Sequence, residues 1–207
     1  MNTISFSENA EGYLLPLEGK VALCDLQDPA GQAEKWVSEQ NMSISNEIVV
    51  LGLGAGFHVR ALQEAHPGLK IHIVECRDQL APIYRKQIQS TIENYSCFHN
   101  LEELLSSELF ERTITKSLPV YFFRPCWGMQ QDLFYSIWKN LTGRSVYAIA
   151  RHFANLGLEI DDTTLATLKT SEAPLTIKDA TDIIIKSDTP KAREQRSYFE
   201  ALKELVK

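Results

Sequence analysis

Hydrophobic and polar positions along this chain fall into two periods, and each change of period marks an element. Glu47 to Leu53, EIVVLGL, is a continuous apolar run of strand length. Phe57 to Ala65 places its apolar residues at helical spacing and is stopped by His66-Pro67-Gly68. Ile71 to Cys76 is a second apolar strand, and Asp78 to Gln89 a second helix with Pro82 in its first turn, where proline is tolerated. A weaker strand over Tyr95 to His99 leads into a helix from Leu101 to Phe110. LPVYFFRP, 118 to 125, is a buried strand by its unbroken apolar run. Met129, Leu133, Phe134, Ile137, Trp138 and Leu141 then share one helical face. A fifth strand is expected over Ser145 to Ala150.

Apolar strands alternating with helices predict an α/β domain, a doubly wound, mostly parallel, Rossmann-like and methyltransferase-like sheet over residues 46–155. Residues 1–45 read as a prefix. Two short strands flank the turn at Glu18-Gly19, and a helix follows with Asp28 as N-cap and Pro29 in the first helical position. Residues 156–207 form a small C-terminal appendage: a polar, turn-rich stretch DDTTLATLKTSEAP, a short hairpin LTIKDATDIIIKSD, and an amphipathic helix KAREQRSYFEALKELVK.

Composition changes this picture little. The 207 residues are 44% hydrophobic and 23% charged, as in an ordinary globular protein. A net charge of -6 argues against a general nucleic-acid binder. No apolar run reaches membrane-span length, and the N-terminus lacks the basic-then-apolar pattern of a secretory signal, so a cytoplasmic location with no membrane partner is expected. Cys24, Cys76, Cys97 and Cys126 are far apart and read as reduced thiols rather than disulfides or metal ligands.

The candidate chemistry lies in VVLGLGAGFHVRAL. Gly52, Gly54 and Gly56 form G-x-G-x-G, and Phe57 stands where the dinucleotide fingerprint wants Gly or Ala. This spacing is similar to that of S-adenosylmethionine-dependent methyltransferases, in which glycines let the backbone approach the ligand at a helix N-terminus. Glu75 closes the second strand, where Rossmann-type folds set an acid against a ribose. As a strand-end acid it is expected to be exposed and of little consequence for stability. The alternative is a packing turn beside an ordinary acid. His58 either bonds an anionic part of a ligand or is a solvated first-turn histidine. Asn100 either contacts a base or caps the helix that follows. After the fourth strand, RPCWG offers Arg124 for an anion and Trp127 for stacking on a substrate, or else is a turn packed by an aromatic. It lacks the acid that many methyltransferases carry there, and Cys126 has no identifiable histidine partner in the sequence.

Beyond these motifs, the order of Asp28, Pro29, Ala33, Glu34, then Gly52, Gly54, Gly56, His58, then Glu75, resembles the N-terminal region of the Maf family, motility-associated factors of flagellin glycosylation, and of MptE-like proteins. The resemblance spans residues 12 to 145. It implies a Rossmann-like accessory module for a nucleoside-type ligand such as S-adenosylmethionine, working with a protein partner or as a homodimer, without the separate domain that carries transferase chemistry. The other expectation is a small S-adenosylmethionine-dependent methyltransferase of unknown acceptor.

Overall fold

The structure is a computed structural model describing residues 3–40, 45–89, 92, 94–169 and 174–205. Four parallel strands, β4 (Glu47–Leu51), β5 (Lys70–Glu75), β6 (Asn94–Cys97) and β7 (Val120–Phe122), form a sheet in the order β6-β5-β4-β7. The first strand of this parallel sheet, β4, is thus internal and the chain reverses direction of build between β4 and β7, an order compatible with a Rossmann-like α/β fold. Ile48 to Leu51 are fully buried, which explains why β4 reads as an apolar run without alternation.

Three antiparallel strands precede it: β1 (Ile4–Glu8), β2 (Leu14–Glu18) and β3 (Val21–Ala22). The turn at Glu18-Gly19 joins β2 and β3 as expected, and β1, which alternates apolar Ile4 and Phe6 with Ser5 and Ser7, adds a strand that was not expected. Helix α1 (Pro29–Glu39) begins as expected, with the Asp28 carboxylate accepting from Gly31 N at 2.8 Å. Helix α2 (Phe57–Ala65) has the expected bounds.

Elsewhere the helices depart from the simple pattern. The segment after β5 is a 3-10 turn over Asp78–Leu80, a short helix α3 (Ala81–Ile83) and a π-type turn over Tyr84–Ile88. The expected helix from Leu101 to Phe110 is two helices, α4 (Leu101–Leu105) and α5 (Glu108–Lys116). They are split at Ser106-Ser107, whose hydroxyls bond back to the carbonyls of Glu102 and Leu104. Helix α6 (Gln131–Leu141) follows a 3-10 turn at Arg124–Trp127.

Two expected β elements are helices. Ser145 to Ala150 belongs to α7 (Val146–Asn155): the Ser145 hydroxyl accepts from Ala148 N, and Ala148, Ile149 and Phe153 are buried at helical spacing. Tyr147 and Ile149 mimic a strand only by composition. The expected hairpin is α9 (Ile177–Lys186), opened by a reciprocal cap in which Thr176 Oγ1 accepts from Asp179 N and Asp179 Oδ2 accepts from Thr176 N. The polar stretch before it contains α8 (Asp162–Lys169); the part at 170–173 lies outside the described residues. The amphipathic α10 (Pro190–Leu205) forms as expected.

The chain divides into two compact units, Met1–Thr113 with Leu118–Trp138, and Ile114–Ser117 with Lys139–Lys207. The core of the first includes Ile48, Val50, Leu62, Ile71 and Ile73. The second is helical, with Ile149, Phe153, Leu168, Ile184 and Phe199 as its core. Among the described residues no helix is long and apolar enough to cross a membrane.

The Thr176 cap is a direct check on the helical second unit. Thr176→Ala is expected to lower its stability by about 0.5–2 kcal/mol, while Thr176→Ser is expected to keep most of it. Urea unfolding followed by far-ultraviolet circular dichroism measures both; equal midpoints for Ala and wild type would contradict the cap.

Candidate functional site

The glycine turn leaves β4 and enters α2, and all of Gly52 to Gly56 is buried. Gly52 and Gly54 sit at φ +92° and +49°, where a side chain is strained. Space is a second constraint. A Cβ at Gly52 would lie 2.7 Å from the Cys126 Cβ, and one at Gly54 would lie 2.7 Å from the Leu23 carbonyl oxygen and collide with the Cys126 sulfur. Gly56, the third of the motif, caps α2 and packs on Ile88. The close approach that the glycines permit is therefore made by the chain itself, from the segment after β3 and the turn after β7.

Glu75 is where the sequence places it, at the end of β5 beside the turn, but it is completely buried. Its Oε2 accepts from Leu53 N at 2.8 Å, and its Oε1 from Cys76 N at 2.8 Å and from Arg77 Nε at 2.7 Å. Arg77 is 5% exposed. It also donates to Glu18 Oε2 at 3.2 Å and to the Cys126 carbonyl at 2.6 Å, and lies over the Phe134 ring. Glu18, 1% exposed, accepts further from Met129 N at 2.8 Å and Gln130 Nε2 at 3.0 Å. Burial opposes the charge on Arg77, but Glu75 and Glu18 outweigh it and raise its pKa. The expectation of an exposed acid at Glu75 is overturned, because a cation two residues on folds back over it.

His58 is also buried rather than solvated. Its Nε2 donates to the Gly52 carbonyl at 3.0 Å, its ring stacks on Phe123, and Trp36 meets it edge-on. With Nε2 protonated, Nδ1 is left to accept from the Cys126 thiol, whose sulfur is 3.8 Å away. The histidine partner that the sequence did not reveal is therefore this one. It does not activate the thiol. Burial pushes the Cys126 thiol well up, and burial pushes His58 down to about 4 against the effect of the Gly52 bond. Both groups are held neutral, the opposite of a thiolate–imidazolium pair.

Asn100 takes the capping alternative: its Oδ1 accepts from Glu103 N at 3.0 Å at the start of α4. Trp127 does not face outward to stack on a substrate; it is 2% exposed and lies parallel to Phe134 with ring centroids 5.5 Å apart. Arg124 is exposed, bonded to Gln131 at 3.4 Å and placed over the Trp127 ring.

A cavity of about 530 Å³ lies elsewhere in the first unit, lined in part by Lys70, His72, Asn94, Ser96 and Arg112. Its basic side chains converge on one carboxylate, Glu47, with Arg112 at 2.7 Å and His72, whose pKa burial lowers, at 2.6 Å. Burial would raise the Glu47 pKa, yet Arg112 and His72 bring it down to about 2. Arg112 and His72 are thus already engaged by a carboxylate within the fold. Comparison of the chain with protein-family models, characterised proteins and solved structures finds no match.

Two measurements test this arrangement. Glu75→Ala leaves Arg77 buried with one carboxylate partner and is expected to cost about 3–5 kcal/mol of stability; urea unfolding reads it, and a loss below about 1 kcal/mol would mean the carboxylate is solvated after all. His58 titrates near 6.5 when unfolded and near 4 when folded, so the unfolded chain binds the extra proton between those values. Its contribution is present above pH 6.5 and is lost as pH falls towards 4, with a slope of up to about 1.4 kcal/mol per pH unit. His58→Gln is expected to lack that slope, so the wild-type-minus-variant difference, in which the other titrating groups cancel, should display it; a difference flat with pH would contradict the buried neutral histidine.

Proposed function

We propose that this chain is a non-catalytic accessory module on a Rossmann-like sheet, whose crevice at the β4–β7 strand ends is filled by its own residues and whose role is to engage a protein partner. One observation carries the reading: the groups that would hold a nucleoside are already spent. Glu75 bonds Leu53, Cys76 and Arg77, and Cys126 occupies the notch above Gly52 and Gly54. A ribose could reach Glu75 only by displacing a buried guanidinium, which strands a charge and costs several kcal/mol. The resemblance to the Maf N-terminal region, with its expected partner in a protein-modification system, fits such a module.

A second reading keeps the nucleoside-type ligand, with S-adenosylmethionine as the cofactor. It is favoured by the strand order β6-β5-β4-β7 and by an acid at the end of β5 that touches the glycine turn directly. That order also supports the doubly wound, methyltransferase-like form of the fold. A catalytic methyltransferase draws less support, since the turn after β7 offers a buried Trp127 and a neutral, buried Cys126.

Calorimetric titration with S-adenosylmethionine, S-adenosylhomocysteine, NAD and a nucleotide-sugar separates the two. The accessory-module reading expects no heat and no rise in the unfolding midpoint with any of them. Micromolar binding of the first two would add about 2.7 kcal/mol of stability at a hundredfold excess over Kd, and would replace this reading with the second.

A further inference from the structure

The carboxyl ends of β5 and β6 hold a cluster that the Glu75 network does not use. Asp78 lies three residues beyond the end of β5, Cys97 is the last residue of β6, and His99 follows it. One ligand atom from each, a carboxylate oxygen, the Cys97 Sγ and an imidazole nitrogen, all lie within 4.8 Å of one another. His99 Nε2 is 2.6 Å from Asp78 Oδ2, and the Cys97 thiol bonds the same carboxylate. Asp78 and His99 are both exposed, so the cluster faces solvent and an ion can enter.

The arrangement around His99 is that of an oriented ligand. Its Nδ1 is 3.1 Å from Glu103 Oε2, which also accepts from His99 N at 2.8 Å, while Glu103 Oε1 accepts from Asn100 Nδ2. A carboxylate on the far nitrogen, Nδ1, orients the ring so that Nε2 faces the cluster, the support that metal-bound histidines regularly have. Nε2 and Asp78 Oδ2 share a proton in a 2.6 Å hydrogen bond, and a divalent cation bound between them would take that proton's place. We infer that Asp78, Cys97 and His99 form a binding site for a zinc-type divalent transition ion, with Glu103 as the positioning residue and a fourth coordination position open to solvent. One thiolate, one imidazole and one carboxylate are a borderline-soft donor set suited to zinc and ill suited to magnesium or calcium. Metal–ligand bonds of about 2.0–2.3 Å in a tetrahedron put ligand atoms about 3.3–3.8 Å apart, so the ion needs only a small opening between exposed Asp78 and His99. The site is independent of whether the glycine turn takes a ligand.

The test is a titration of chelator-treated full-length protein with Co²⁺, followed by competition with Zn²⁺. The expected result is one equivalent bound, a thiolate-to-cobalt charge-transfer absorption in the near ultraviolet, and the intense visible bands of a tetrahedral ion. Cys97→Ser is expected to abolish the charge-transfer band, His99→Gln to weaken Zn²⁺ at least tenfold, and Glu103→Gln to weaken it about 10-fold or more. Circular dichroism confirms folding, and His99 and Glu103 are exposed side chains whose replacement leaves the core intact. Absence of the band in the wild type, or its persistence in Cys97→Ser, overturns the site and leaves His99 as an imidazolium bridging two carboxylates.

Discussion

A single guanidinium, that of Arg77, sits between Glu75 and Glu18 in the interior of the first unit, and four separate stretches of chain depend on it. Glu18 comes from β2, Glu75 and Arg77 from the end of β5, Leu53 from the glycine turn, and Cys126 and Met129 from the turn after β7. Two carboxylates flank one cation inside the fold, and their oxygens accept further from the N–H groups of Leu53, Cys76 and Met129 and from the Gln130 amide. Such a network adds little over a well-packed apolar core, but removing one member strands the others. Its worth is in pairing: only the native placement of the N-terminal hairpin brings a carboxylate to the second face of Arg77.

The network also explains why features that ordinarily face a ligand here face inward. A glycine turn, a strand-end acid and a first-turn histidine are present in the order and spacing of a nucleotide site. The glycines admit Cys126 and the Leu23 carbonyl, the acid takes Arg77, and the histidine takes Gly52 and the Cys126 thiol. Each polar group finds a partner inside the protein, which is what burial demands. The Cys126–His58 contact follows the same logic: closeness alone suggests an activated nucleophile, while full burial keeps both groups uncharged.

What was legible in the sequence was local. The apolar run of β4, the Asp28 cap, the span of α2 and the acid closing β5 are each decided within a few residues of themselves. The two errors of element type, at Ser145 to Ala150 and at Leu175 to Asp188, share a cause. Val, Tyr and Ile runs carry β propensity, which tertiary packing overrides, and the Ser145 and Thr176 caps were the contrary signal. Ala180, Thr181 and Ile184 are the buried positions, spaced i, i+1 and i+4, a helical rather than an alternating pattern. The site was less legible for a different reason. Arg77 meets Glu18 across 59 residues and His58 meets Cys126 across 68, and no spacing rule connects positions so far apart. Cys97 and His99 are two apart, yet their partner Asp78 joins them only because β5 and β6 are neighbours in register, with Glu75 opposite Cys97.

In sheets of this kind, chemistry gathers at the carboxyl ends of the strands, and here those ends divide into two halves of different character. At β4 and β7 the ends are covered: the glycine turn, Cys126 and Trp127 are buried, and the charges are paired within the fold. At β5 and β6 the chain instead turns outward through Asp78, His99 and Glu103, all exposed and all polar. A side chain spent on internal pairing cannot also bind a ligand without breaking that pairing, whereas an exposed cluster pays no such cost. The polar groups of Asp78, His99 and Glu103 thus stand open to solvent towards the β6 edge of this sheet, while the glycine turn is closed by the chain's own residues.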